Sequence, residues 1–245
     1  MHAQVLDKLC VAMPKKSLLR MICRGRKAWR GYEPTLLEMK ELLAKHPGTT
    51  ILTCTKKKER WVNELALEAL FGNRKPIATL PSDVEQNPDN YDATGKLRED
   101  RPSRPCKIPI YKGMKLCLTE NVRKEDGYVN GMCCEVERFD ANGNGGVLRV
   151  KLESGERLPI TMWTDIHKTG ALYFPIRIGY GSTIHKAQGG EYKHVTVWLD
   201  VRFMPAAAYT ALSRVAKMKH FLLGGVLVKH HFVPATYTHP GVAVS

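Results

Sequence analysis

The feature that most constrains the fold is a change of pattern that occurs twice along the chain. The first pattern covers helix, strand and helix. Residues 33–47 carry an apolar stripe behind Pro34, residues 49–54 form a short β-branched run, and residues 56–71 carry a second helical stripe. This alternation is typical of an α/β sheet.

Short alternating strands replace this pattern further along the chain. Between residues 108 and 165, apolar and polar residues alternate in runs separated by glycine-marked turns such as 142–146. This spacing predicts a small antiparallel barrel. Residues 81–107, which precede it, hold four prolines among charged and amide residues and are predicted to be a linker.

The α/β pattern returns after residue 173. Strands are predicted over 175–181, 193–199 and 220–226, with a short helix over 182–188 and a longer one over 205–215. The predicted fold class is therefore α/β, with a β-barrel inserted into one α/β domain.

The predicted organisation has five parts. They are a basic N-terminal segment (1–32), the α/β domain (33–80 plus 166–226), the linker (81–107), the inserted barrel (108–165) and a C-terminal tail (227–245).

The charge balance points to a polyanionic partner. The chain has 38 Lys and Arg against 24 Asp and Glu, a formal net charge of +14. Such an excess favours nucleic acid over a membrane surface, and a merely basic soluble protein is the alternative. No stretch approaches the ~18 uncharged apolar residues of a membrane-spanning helix, so no membrane partner is expected.

Cysteine and histidine usage predicts an intracellular protein without a metal site. Seven cysteines form no CxxC pair, no zinc spacing is present, and the N-terminus lacks the apolar region of a secretory signal. Reduced, structural thiols are therefore expected.

Residues 179–192 carry the sharpest chemical signal. A predicted strand runs into Ser182 and Thr183, which are both good N-cap residues. The start of a helix there would present N–H groups that suit phosphate, and His185 and Lys186 add donors. The structural alternative is a capped helix with a polar face.

A second segment, residues 206–215, ends with an arginine. Small residues allow its helix to pack tightly, and Arg214 projects near the helix end beside a strand. An arginine held there could reach a nucleotide phosphate, or it could simply stabilise the helix C-terminus.

Basic residues in the N-terminal segment lie near Trp29 and Tyr32. Mixtures of arginine and aromatic residues bind single strands through charge and stacking. A solvated basic face is the alternative. The basic residues are Lys15, Lys16, Arg20, Arg24, Arg26, Lys27 and Arg30.

In this order, residues 182–192 and 206–215 resemble motifs V and VI of superfamily 1 DNA helicases, in the branch that contains RecD, Dda and the Pif-type helicases. Residues 49–67 resemble motif IV, and residues 111–139 resemble the start of the SH3-like barrel of that branch. The resemblance implies a RecA-like, P-loop NTPase-type parallel-sheet domain with an SH3-like insertion.

The resemblance also implies a role for each matching residue. Arg214 would be the arginine finger on the γ-phosphate. The nucleotide-binding residues would be Gln188, Gly189, Gly190 and Glu191, the last at the position that receives the ribose in RecD-like sequences. The DNA-binding residues would be Ser182, Thr183, His185, Lys186, Thr55 and Asn63.

Two elements of an ATPase are missing from the sequence. Gly-Lys occurs only at Gly95-Lys96, followed by Leu97, and no Asp-Glu dipeptide occurs. ATP and Mg²⁺ are therefore expected as cofactors only with a P-loop RecA-like domain upstream or in trans.

The implied function is the second motor domain of an ATP-dependent DNA helicase that translocates on single-stranded DNA and is inactive alone. The alternatives are a non-enzymatic single-stranded nucleic-acid-binding module derived from a helicase, and an inactive remnant that folds poorly. A eukaryotic source would place the protein in the nucleus or mitochondrion.

Overall fold

The computed structural model describes residues 2–82, 87–94, 96, 98–100, 103–121, 128–143, 145–164 and 170–235. The chain divides into two compact units, the first made of residues 1–72 and 180–245 and the second of residues 73–179. Within the described residues the elements are, in order, α1 (His2–Val11), α2 (Lys16–Cys23), α3 (Leu36–Lys45), β1 (Thr50–Thr53), α4 (Lys56–Phe71), β2 (Ala78–Ser82), β3 (Cys106–Ile110), β4 (Lys115–Leu118), β5 (Cys133–Asp140), β6 (Val147–Leu152), β7 (Arg157–Ile160), β8 (Trp163–Thr164), β9 (Leu172–Tyr173), β10 (Ile176–Ile178), β11 (Gly181–Thr183), β12 (Val195–Trp198), α5 (Ala207–Leu212) and β13 (Phe221–Leu223).

A four-stranded parallel sheet forms the centre of the first unit. Its strand order is β11-β1-β12-β13, and every neighbouring pair is parallel. β1 and β12 are buried along their whole length, as expected for strands covered on both faces. The predicted α/β class with a parallel sheet is confirmed.

Local signals in the sequence explain α3 and α4. Thr35 and Glu38 form a reciprocal capping box at the start of α3. The Thr55 side chain accepts a hydrogen bond from the Lys58 backbone N–H at the start of α4. The helix predicted over residues 33–47 is observed as Leu36–Lys45, because Thr35 rather than Pro34 caps it. The helix α4 begins at Lys56, as predicted.

The predicted helix over residues 182–188 is wrong. Residues 181–183 form β11 instead, paired in register with residues 51–53 of β1. The N–H of Ala187 then donates to the Thr183 carbonyl, which makes one helical turn, and the following hydrogen bonds span only three residues. Pairing with β1 therefore overrides the helical pattern, and turns replace the helix.

The predicted strand over residues 175–181 is also divided. Residues 176–178 form β10, which pairs antiparallel with β4 in the second unit. Residues 181–183 join the parallel sheet of the first unit. A run of apolar and small residues does not show where one strand ends and the next begins.

The second unit contains an antiparallel sheet of order β10-β4-β5-β6-β7. Met114, Leu116, Leu118 and Phe174 are among its fully buried side chains. The predicted antiparallel strands are present, and their closure as an SH3-like barrel stays a prediction.

β2 and β3, at the two ends of the predicted linker, pair with each other. Of that linker, residues 83–86, 95, 97 and 101–102 lie outside the described residues, as do residues 236–245 of the predicted tail. The five-part organisation stays a prediction.

The N-terminal segment packs against the rest of the first unit. Val5 and Leu9 of α1 and Ile22 of α2 join its hydrophobic core. Trp29 is also buried, with its ring edge-on to Trp198 at 5.3 Å between centroids. None of the described helices is long and apolar enough to cross a membrane.

Candidate nucleotide and nucleic-acid site

Two of the candidate residues, His185 and Thr55, lie at the carboxyl edge of the parallel sheet. Because β11, β1 and β12 are parallel, their carboxyl ends lie side by side. His185 follows β11, Thr55 follows β1, and Asp200 follows β12. Ligands of open α/β sheets bind outside this edge.

Asp200 ties the ends of two strands together. One carboxylate oxygen accepts from the Cys54 N–H at 2.5 Å, and the other accepts from the Thr55 hydroxyl at 2.7 Å. Sequence reasoning missed Asp200. An acidic residue directly after a buried strand was the available signal. Thr55 is therefore occupied by a structural contact as well as by its helix cap.

Burial and the nearby Asp200 carboxylate raise the pKa of the Cys54 thiol to about 12. The thiol is therefore protonated near neutral pH and has no nucleophilic role at this edge.

Asn63 is buried and holds the backbone of Gly181. Its amide oxygen accepts from the Gly181 N–H at 2.7 Å, and its amide nitrogen lies 3.5 Å from the Gly181 carbonyl oxygen. Ser182 is only 1% exposed. The structure therefore does not bring Asn63 or Ser182 to a surface that DNA could touch.

Lys186 forms an ion pair with a buried carboxylate. Its ammonium lies 3.2 Å from both carboxylate oxygens of Glu59. The Glu59 side chain is 3% exposed and that of Lys186 is 27% exposed. Sequence reasoning missed Glu59. The available signal was an acidic residue three positions before Val62 on the buried face of α4.

Five of the candidate residues are exposed to solvent on one short stretch of chain. The Thr183 hydroxyl accepts from the Lys186 N–H at 3.3 Å and fixes the start of this stretch. A phosphate or base could therefore reach these residues without a rearrangement of the core. They are His185, Gln188, Gly189, Gly190 and Glu191.

Arg214 joins the two helicase-like segments. Its guanidinium donates to the carbonyls of Thr210 (3.0 Å) and Gly190 (3.2 Å) and to the Ser213 hydroxyl (2.9 Å). In return, the Tyr192 N–H donates to the Arg214 carbonyl at 2.8 Å. Arg214 is half-buried, and these three acceptors are neutral oxygens. The arginine therefore lies beside the exposed stretch rather than apart from it.

The chemistry of these groups is that of an anion site. It combines a guanidinium with an exposed histidine, whereas the Gly190 N–H already donates to the Ala187 carbonyl. In the described part of the chain, no group of three or more His, Cys, Asp or Glu is arranged to hold a metal ion.

Comparison with known proteins now gives the class. No protein-family model matches the chain. The Pif1 helicase from Candida albicans superposes with a TM-score of 0.63 at 17% identity, over 95% of this chain and 54% of that one. The Bacteroides Pif1 helicase in complex with ADP-AlF3 and ssDNA gives 0.62 at 17% identity, over 95% and 51%. The fold is that of part of these Pif1 helicase structures, with a RecA-like parallel-sheet domain.

Sequence similarity points to the same helicases as the fold does. The ATP-dependent DNA helicase PIF1 of Mus musculus is 24% identical in an alignment 244 positions long, which covers 84% of this chain and 37% of that protein. The chain is homologous to the Pif1 helicases of superfamily 1B, as its motif-like segments predicted. It spans little more than a third of the length of this relative.

Proposed function

We propose that this chain acts as the second motor domain of an ATP-dependent DNA helicase that translocates on single-stranded DNA. In this proposal Arg214 contacts the γ-phosphate, residues 188–191 contact the rest of the nucleotide, and His185 contacts the DNA backbone. A P-loop RecA-like domain, upstream or in trans, supplies the remaining ATP contacts. The chain alone hydrolyses no ATP.

The observation that carries this proposal is the hydrogen bond between Arg214 and the Gly190 carbonyl oxygen. It brings a cation from one helicase-like segment to the exposed stretch of the other. Two segments that resemble motifs V and VI would need this proximity to share one nucleotide. An arginine that only stabilised the end of α5 would not need to contact Gly190.

The residues present fit a nucleotide phosphate. Three neutral oxygens accept from three of the five Arg214 N–H groups without compensating its positive charge. A phosphate would make charge-assisted hydrogen bonds, which are roughly twice as strong as those to carbonyls. When bound, ATP supplies the reactive γ-phosphoryl group. In this proposal the P-loop domain holds Mg²⁺, because the family holds the ion with an Asp-Glu pair that this sequence does not contain.

The fit to single-stranded DNA rests on charge and exposure. The net charge of +14 attracts a polyanion, and His185 lies on the exposed stretch. Lys186 and Thr55 make structural contacts with Glu59 and Asp200, so in the observed arrangement they shape the site more than they contact DNA. The Bacteroides Pif1 structure described above contains ssDNA, as this proposal requires of its relatives.

A binding experiment tests the DNA contact. The affinity of the purified chain for a fluorescent oligothymidylate is measured by anisotropy between 50 and 200 mM salt. We expect log K to fall with log salt by roughly 0.7 for each phosphate contacted. His185→Ala should weaken binding more than Lys219→Ala, the control, which removes an exposed positive charge from the same unit. An affinity that changes neither with salt concentration nor in the His185→Ala variant would contradict the proposal.

A turnover experiment tests the motor role. In the helicase formed when this chain is joined to a P-loop domain, Arg214→Ala should lower kcat by about 10³-fold or more. Because Arg214 also makes three hydrogen bonds within its unit, kcat is expressed per folded molecule, from the thermal unfolding curve. Unchanged turnover per folded molecule would leave Arg214 a structural residue.

The second candidate function is a non-enzymatic single-stranded nucleic-acid-binding module. The internal hydrogen bonds of Arg214 favour it, because an arginine that needs no nucleotide can retain its place through packing alone. DNA binding by the chain, together with full turnover of the Arg214→Ala helicase, would support this candidate.

A further inference from the structure

Two exposed aromatic rings lie beside an arginine in the first unit. Tyr32 is 59% exposed and Phe203 is 43% exposed. The exposed Arg202 donates to the Tyr32 hydroxyl at 3.3 Å. The Phe203 ring packs against the exposed His230 ring, with 4.7 Å between centroids. These four residues are called the Tyr32–Phe203 cluster.

The backbone holds Phe203 in an unfavourable conformation. Its φ angle is +59°, in the left-handed region that bulky side chains rarely occupy. The Phe203 N–H donates to the His230 carbonyl at 2.8 Å, and Pro205 bridges to Val233. The segment around residues 228–233 therefore fixes the loop that presents the ring. Strain of this kind concentrates where a side chain serves a ligand.

The cluster shares an edge with the exposed stretch at His185. Arg202 and Phe203 follow β12, whereas His185 follows β11, and both strands end at the carboxyl edge of the parallel sheet. One strand, β1, separates them, which is a step of about 10 Å between strand axes. A single-stranded nucleic acid that contacts His185 and crosses the end of β1 would therefore reach the cluster.

We propose that the Tyr32–Phe203 cluster is a stacking platform for the bases of a single-stranded nucleic acid. The inference rests on the proposed binding of single-stranded DNA. Exposed aromatic faces stack on any base, and Arg202 supplies the positive charge that the adjoining phosphate requires. Trp29, which the sequence analysis grouped with Tyr32, cannot contribute because its ring is buried against Trp198.

Paired oligonucleotides separate stacking from attraction to phosphate. The full chain is titrated with fluorescent 20-nucleotide oligothymidylate and with an abasic strand of the same length and charge. We expect the parent to prefer the strand that carries bases. Tyr32→Ala/Phe203→Ala should lose about 30-fold or more of its affinity for oligothymidylate and nearly none for the abasic strand. Val11→Ala, the control, removes an exposed apolar side chain from the same unit and should change neither.

A second measurement needs no variant. An oligonucleotide carrying 5-iododeoxyuridine is photocrosslinked to the parent chain, and the modified peptides are identified by mass spectrometry. Crosslinks at Tyr32 or Phe203 support the platform even if the double variant fails to fold.

The outcomes separate the two proposals. If the parent binds oligothymidylate but shows no preference over the abasic strand, or carries no crosslink at either ring, the platform is refuted and the proposed DNA binding stands. If the parent binds neither strand, both proposals fail.

Discussion

Lys186→Met is expected to destabilise the first unit more than it weakens any direct DNA contact. The substitution keeps most of the apolar stem of the side chain but removes the ammonium that lies 3.2 Å from both oxygens of Glu59. The Glu59 carboxylate, 3% exposed, would then lack this cation. Removing one partner of a buried ion pair costs about 3–5 kcal/mol.

The observed exposure of Lys186 sets the magnitude. Because the Lys186 side chain is 27% exposed, water reaches the ammonium and can also reach Glu59 once the ammonium is removed. We therefore expect the free energy of unfolding to fall by about 2–3 kcal/mol. For a chain of this size, that lowers Tm by roughly 5–10 °C. Urea unfolding followed by circular dichroism measures the free energy directly, and thermal unfolding gives the Tm.

Two variants make this measurement specific. Lys57→Met removes an exposed lysine from the same helix, α4, and should change stability by less than about 0.5 kcal/mol. Glu59→Gln combined with Lys186→Met removes the buried charge as well and should recover more than half of the loss. A Lys186→Met variant as stable as the parent, or a double variant with no recovery, would refute the electrostatic account. DNA-binding assays on Lys186 variants must therefore be corrected for the folded fraction.

Three further perturbations test other parts of the structure. Ala206→Gly should stabilise the chain by about 0.5–1 kcal/mol in urea unfolding, because Ala206 has a φ of +59°. The control Ala208→Gly, inside α5, should destabilise it by about 1 kcal/mol. Equal effects of the two substitutions would show that the backbone at Ala206 is not strained. Burial and two neighbouring histidines lower the pKa of His194 to about 4, below its unfolded value of about 6.5. Stability should therefore fall as pH drops from about 6.5 to 4, and His194→Gln should flatten that slope of the urea midpoint against pH. The Sγ atoms of Cys117 and Cys133 lie 3.0 Å apart on paired strands, so diamide should join them in a disulfide seen as a crosslinked peptide. The hydrogen bond between Cys133 and Cys117, together with burial, raises the pKa of Cys133, so the reaction should be faster at alkaline pH. Two thiols that can still be alkylated after treatment would contradict this prediction.

Local signals explain which parts of the fold the sequence predicted. The helix predicted over residues 56–71 is observed as Lys56–Phe71, because its cap at Thr55 and its apolar stripe are both local. The helix predicted over residues 182–188 failed because β11 pairs with β1, about 130 residues earlier. No window of the sequence contains both partners of that pairing.

The same reasoning separates the predicted site residues from the missed ones. Glu59 and Asp200 were missed because their partners, Lys186 and Thr55, are 127 and 145 residues away. Asn63 was found through the helicase resemblance, but its contact with Gly181 shows that it holds β11 in place. A sequence motif can therefore identify a functional or structural residue, but it does not show which residue that side chain contacts.

Arg214 can connect the nucleotide and DNA contacts of the proposed site. Its bond to the Gly190 carbonyl holds the exposed stretch against the end of α5. A phosphate within reach of the same guanidinium would compete with that carbonyl, and the charge-assisted bond is the stronger one. Under the proposed function, we therefore expect nucleotide binding to release Gly190 and loosen the turn that carries His185. Hydrogen exchange in the joined helicase should then be faster with nucleotide bound at residues 185–187, which lie outside the proposed nucleotide contact. An Arg214→Lys variant should show a smaller difference. Equal exchange with and without nucleotide would show that Arg214 does not connect the nucleotide contact to the DNA contact.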